Sequence, residues 1–148
     1  MIGLDTNVVV RFLVADDPVQ TPAAQQVFAS LSADDPGYVS LVVWAETYWV
    51  LTRTYGLTAA EVLTALSELL ASDEVVSQAE PEVHRALADA GRGADFADAL
   101  VAQAAHGAGC TDVVTFDCKA AAKLGFRLLR SAGVRSSHEL NPEPGVEP

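Results

Sequence analysis

At 148 residues, half of them apolar and a fifth charged, the chain is the size of one globular domain with room for a core, which excludes a disordered chain. A formal net charge of −11 argues against unspecific gripping of nucleic acid, because phosphate neutralisation needs cations. No apolar run approaches the roughly 18 residues of a membrane span, and no basic segment precedes the apolar start, so the expectation is a cytoplasmic protein without a membrane partner.

In chain order, Ile2-Gly3-Leu4 reads as a short buried strand, followed by a helix to about Val14 that Asp16-Asp17-Pro18 breaks. Thr21 as N-cap with Pro22 behind it predicts a second helix to about Leu31. Asp34 to Gly37 is a turn, Tyr38 to Ser40 a brief strand, and a strongly apolar helix then carries Glu46 to about Tyr55-Gly56. Thr58 and Glu61 have capping-box spacing for a helix to about Ala71. Glu74 to Val76 is a third strand, and Glu80-Pro81 opens a helix to about Ala90. After the Gly91-Arg92-Gly93 loop, Asp95 caps a helix running through His106. Thr111 to Thr115 is the clearest strand, Lys119 to Lys123 a short helix, and Phe126 to Leu129 a last strand.

Short strands alternating with helices predict an α/β fold, a three-layer α/β/α sandwich around a central, mostly parallel sheet of four to five strands. Residues 1–135 are expected to form the one domain, and the Pro, Glu and Ser-rich residues 136–148 a disordered tail. Cys110 and Cys118 have no zinc spacing and read as buried reduced thiols, and His84, His106 and His138 as structural or exposed. The positive charge is uneven: Lys119, Lys123, Arg127, Arg130 and Arg135 cluster where Asp117 is the only acid, which leaves room for a local phosphate-binding rim.

Four acids interrupt apolar segments: Asp5, Glu46, Asp98 and Asp117. Carboxylates are rarely buried unless paired or bound to a metal. Asp5 and Asp117 stand at strand carboxyl ends, where ligands bind in parallel sheets, although each has the competing reading of a helix cap. Asp98, in a first turn, suits the helix dipole alone, whereas Glu46 is mid-helix among Val42, Val43, Trp49 and Val50. Two carboxylates ~5 Å apart repel by roughly 3 kcal/mol at an effective dielectric of 20, so a converged set calls for a cation. All-oxygen ligation selects Mg²⁺ or Mn²⁺ over Zn²⁺, and water on such an ion is activated to attack a phosphodiester.

The run Leu4-Asp5-Thr6-Asn7-Val8, then Ala45-Glu46, Asp98-Ala99-Leu100-Val101-Ala102 and Thr115-Phe116-Asp117 resembles the PIN domain over residues 1 to about 130. The opening through Arg11-Phe12-Leu13 and Asp16-Asp17-Pro18 is similar to the VapC-type toxins of toxin–antitoxin pairs. The resemblance implies a PIN-like fold and a Mg²⁺- or Mn²⁺-dependent endoribonuclease. It implies as well an RNA substrate, a cognate antitoxin and a homodimer. Asp5 and Asp98 would be the principal metal ligands, with Glu46 and Asp117 completing the acidic pocket. Thr6, Asn7 and Thr115 would support the site by hydrogen bonds. Asp95 is favoured as a cap, and Arg11 would touch RNA or a partner, or form a surface salt bridge. Attack by a metal-activated water leaves a 5′-phosphate and a 3′-hydroxyl. A basic antitoxin tail over the carboxylates is a further expectation. The alternatives are a non-catalytic RNA-binding or protein-interaction module on the same scaffold, and a Mg²⁺-binding receiver-like or phosphatase-like domain.

Overall fold

The computed structural model describes residues 1–130; the expected tail, Arg135 and the last residues of the expected domain lie outside them. In order, the elements are β1 (Ile2–Gly3), α1 (Thr6–Val14), α2 (Gln20–Ser30), β2 (Gly37–Val39), α3 (Leu41–Trp49), a π-helical turn (Val50–Thr54), α4 (Ala59–Leu70), β3 (Val75–Ser77), α5 (Glu80–Gly91), α6 (Phe96–Gly107), β4 (Val114–Thr115), α7 (Cys118–Leu124) and β5 (Arg127–Leu128). Parallel strands among helices make the expected α/β/α architecture.

The sheet comes in two pieces among the described residues. β2 lies between β1 and β3, with Ile2 opposite Gly37 and Tyr38 opposite Val76, while β4 pairs with β5. Parallel neighbours need a crossover, and here each crossover is helical. Gly37, expected as the last residue of a turn, is instead the first of β2, and a Cβ there would meet Leu4 Cδ1 at 2.6 Å and Leu31 Cδ1 at 2.9 Å, so the close packing of this strand suits glycine. The expected Thr111–Thr115 strand is shorter than its apolar pattern: only Val114 and Thr115 enter the ladder, through Arg127 N to Val113 O and Leu129 N to Thr115 O.

α3 occupies the middle of the core and packs against α1, α4 and α6. Its buried side chains are Val43, Trp44, Thr47 and Tyr48, two adjacent pairs one turn apart. Trp44 is 1% exposed and donates its indole N–H to Ser77 Oγ on β3 at 2.8 Å, which ties the helix to the sheet and satisfies a buried donor. Val62 and Leu66 of α4, Val83 and Ala86 of α5, and Phe96 and Ala99 of α6 complete the interior. Each large aliphatic among them contributes about 1.5–3 kcal/mol of burial.

The ends of the helices follow local chemistry, with one displacement. Thr58 and Glu61 form the expected capping box, and Asp95 accepts from the amide of Asp98. α2 begins at Gln20, ahead of the expected Thr21 cap, because Asp17 Oδ1 accepts from the amides of Val19 and Gln20. Thr21 Oγ1 in turn accepts from the amide of Asp17. The amides of Gln20 and then Val19 hold the Asp17 carboxyl below its ordinary range. For a depressed carboxylate, the stability it contributes is present above the ordinary pKa and is lost as pH falls through the folded one. The Tm advantage of wild type over Asp17→Asn is therefore expected to shrink as melts move from neutral pH into acid; an unchanging gap would exclude this cap as its source.

Two further expectations need correction. Cys110 and Cys118 are free but exposed: Cys110 follows the end of α6 and Cys118 opens α7, on either side of the exposed to half-buried strand β4. α5 runs on through Gly91, so the following loop is shorter than its two glycines indicate.

Candidate active site

Of the four acids, Asp5, Glu46 and Asp117 are exposed and Asp98 is half-buried, so they do not enter the core as their apolar neighbours led us to expect. The reason is clearest at Glu46. The apolar face it shares is the outer one of α3, where Val42 is 64% and Trp49 56% exposed. An apolar run here marks a helix that is hydrophobic on nearly all sides, with one side turned to solvent.

Asp5 sits at the N-cap position of α1 with extended backbone (φ −82°, ψ 156°), yet its side chain makes no capping hydrogen bond. The carboxylate is thus not used by the helix it introduces. Next to it, buried Thr6 donates its hydroxyl to Glu46 Oε2 at 2.6 Å, which joins the start of α1 to the middle of α3. Asn7 is exposed in the same first turn.

A second group forms around α6 and α7. Asp117 caps α7: its Oδ1 accepts from the amides of Lys119 and Ala120, and its own amide donates to Thr115 Oγ1 at 3.0 Å. Asp95 uses Oδ1 to cap α6. Among the described residues, Oδ2 of Asp95 and of Asp117 and both carboxylate oxygens of Asp98 have no hydrogen-bond donor. Burial, then Asp95 and Asp117, push the Asp98 carboxyl above its ordinary range. Burial and the charge of Asp95 likewise push the Tyr48 phenol up.

Asp95, Asp98 and Asp117 line one groove of about 1050 Å³. Its other wall is Tyr48, Trp49, Thr52 and Arg53 from the end of α3 and the π-helical turn, and Lys119 and Lys123 of α7 also face it. Asp98 and Asp117 share this groove, whereas Asp5 and Glu46 are not among its lining residues; α3 carries Glu46 and also supplies Tyr48 and Trp49 to the groove wall. Among the described residues, no three His, Cys, Asp or Glu side chains come close enough together to hold a metal ion.

The supporting residues separate in the same way. Arg11 is tied up within the fold, bonding Gln20 Oε1 at 2.8 Å, Asp16 Oδ1 at 3.2 Å and the Tyr55 hydroxyl. Trp49, Thr52 and Arg53 were not candidates from sequence, because nothing in their spacing separates a groove wall from the outside of an ordinary helix.

A family model for the PIN domain matches residues 2–125, which include all four acids. The chain belongs to the PIN-domain family. Membership sets aside the receiver-like and phosphatase-like alternatives. Among solved structures, the chain is similar to Mycobacterium tuberculosis VapC20, a sarcin–ricin-loop-cleaving toxin. Identity is 22%, with 88% of this chain and all of that one covered, and the TM-score is 0.42. So distant a likeness adds nothing to the family assignment. Comparison with curated proteins returns no match. No described helix is long and apolar enough to cross a membrane.

Proposed function

We propose that this PIN domain is a divalent-metal-dependent endoribonuclease, the toxin of a toxin–antitoxin pair, with Asp5, Glu46, Asp98 and Asp117 as its catalytic carboxylates. What carries the proposal is family membership over all four acids together with the opening of Asp98 and Asp117 onto one groove, each with a carboxylate oxygen to spare. The donor chemistry fits Mg²⁺ or Mn²⁺, being all oxygen. Such ions are held by one or two carboxylates plus water and substrate phosphate, so a three-acid cage is not required. Asp98 and Asp5 would be the principal ligands, with Asp117 and Glu46 completing the pocket. When bound, the ion supplies Lewis acidity to water and to the scissile phosphate.

The chain's own residues have definite work in this scheme. Asp98 and Asp117 present negative charge to the groove, which repels a bare phosphate and favours one that arrives with a cation. Thr6 holds the Glu46 carboxylate in one orientation, and Thr115 holds the Asp117 amide while Asp117 holds the start of α7. Water attacking in line leaves a 5′-phosphate and a 3′-hydroxyl. A cognate antitoxin with a basic segment, a homodimeric state and a cytoplasmic location complete the proposal, from the resemblance of the opening motif to VapC-type toxins.

The test is cleavage of a mixed RNA pool by antitoxin-free protein, with Mg²⁺, with EDTA, and with Asp5→Asn. Cleavage should require the metal and fall at least about 100-fold in the variant. Ends bearing a 2′,3′-cyclic phosphate would sink the water mechanism. Binding without cleavage would favour the non-catalytic module.

A further inference from the structure

The acidity of this protein makes its unpaired cations informative. Arg11 is paired with Asp16, Arg85 with Glu82, Arg92 with Asp89 and Arg127 with Asp112. Among the described residues, Arg53, Lys119, Lys123 and Arg130 form no salt bridge, although the chain carries 20 acids. The first three line the groove that holds Asp98 and Asp117; Arg130, the last described residue, is not among its lining residues. Lys123 Nζ would lie 3.3 Å from a Cβ at position 93, so that side chain runs along the Gly93 backbone toward the loop before α6.

The opposite wall has its own peculiarity. α3 does not end in an ordinary turn but passes into the π-helical turn Val50–Thr54, a rare local form that concentrates at functional sites. Trp49, immediately before it, is 56% exposed and lines the groove, as do Thr52 and Arg53 within it. A large exposed aromatic in the same groove as three cations is the combination that takes an unstacked base and its phosphates.

We propose that Trp49, Arg53, Lys119 and Lys123 position the RNA strand: Trp49 stacks against one base, and the three cations hold phosphates on either side of the acidic groove. None of the four is a catalytic residue. The assignment rests on the ribonuclease reading for its ligand. It differs from the basic rim expected from sequence by adding Trp49 and Arg53 and by leaving out Arg127, which Asp112 neutralises, Arg130, which does not line the groove, and Arg135, which lies outside the described residues.

The experiment is fluorescence-anisotropy titration of a short labelled single-stranded RNA, with Ca²⁺ in place of Mg²⁺ to hold back cleavage, over a series of monovalent salt concentrations. Lys119→Gln/Lys123→Gln should weaken binding and flatten the slope of log K against log salt by about 1.4, or about 0.7 for each phosphate contact. Lys119→Arg/Lys123→Arg should restore the slope, which a merely structural role would not do. Trp49→Ala should weaken binding on the order of tenfold with the slope unchanged. All these residues are exposed, so folding is not at issue. An unchanged slope in the double Gln variant, or full affinity in Trp49→Ala, overturns the proposal, as does wild type binding no RNA. Wild type that binds through these residues but cleaves nothing with Mg²⁺ overturns the ribonuclease instead. If the Gln variants lose a protein partner while keeping RNA, the rim is a protein contact and the proposal fails.

Discussion

Asp98→Asn is expected to abolish RNA cleavage, by about 100-fold or more, while leaving the Tm at or above that of wild type. The two halves have one cause. Burial and the nearby Asp95 and Asp117 raise the Asp98 carboxyl in the folded state. For an acid with a raised folded pKa, the folded state holds its proton more tightly than the unfolded one, so stability falls as pH rises through that range. At neutral pH the ionised carboxylate is a liability to the fold, and asparagine of the same shape removes it. The Tm of the variant relative to wild type should therefore climb from acid to neutral pH. A Tm that drops together with activity would assign Asp98 a structural role, and retained cleavage would remove it from the site.

Phe96→Ala is expected to cost about 3–5 kcal/mol, measured by urea unfolding. Phe96 is the first residue of α6, fully buried, with its ring 5.3 Å from that of Tyr48 at a tilt of 56°. It fixes the start of the helix that carries Asp98 against the helix that carries Glu46, and the neighbourhood cannot collapse into the space without moving α6 off α3. Since a domain of this size has roughly 5–15 kcal/mol in all, the loss amounts to between about a fifth and the whole of its stability. A loss below about 1 kcal/mol would mean that the α3–α6 contact is far softer than its burial implies.

Legibility in the sequence tracked how local the cause is. Thr58 with Glu61, and Asp95 before Phe96, could be read because a cap involves residues three positions apart. The start of α2 was displaced because Asp17 reaches its amides first, a competition between neighbouring acceptors that composition does not rank. The strand before Asp117 was overlong because pairing stops where β5 stops, which is a tertiary matter. The four acids were found as a motif in order along the chain. Their surroundings were not: Glu46 faces outward because Trp44 and Tyr48 face inward, and that choice is made by α1, α4 and α6 together. Trp49 and Arg53 become groove residues only when α6 and α7 fold against them from between 43 and 75 positions away in sequence.

The division of the strands into two ladders has a bearing on how the molecule comes apart. β4 and β5 share two residue pairs with α7 between them, whereas β1, β2 and β3 are backed by the buried side chains of α3, α4 and α5. Local opening is cheapest where few apolar contacts must be broken, so amide protons of the β4–α7–β5 unit belong to an earlier-exchanging class than those of the main ladder. That unit holds Asp117, Lys119 and Lys123. One wall of the groove thus rests on the well-protected interior and the other on a segment that opens at lower cost, and a ligand bridging the two would register first as slowed exchange in the smaller.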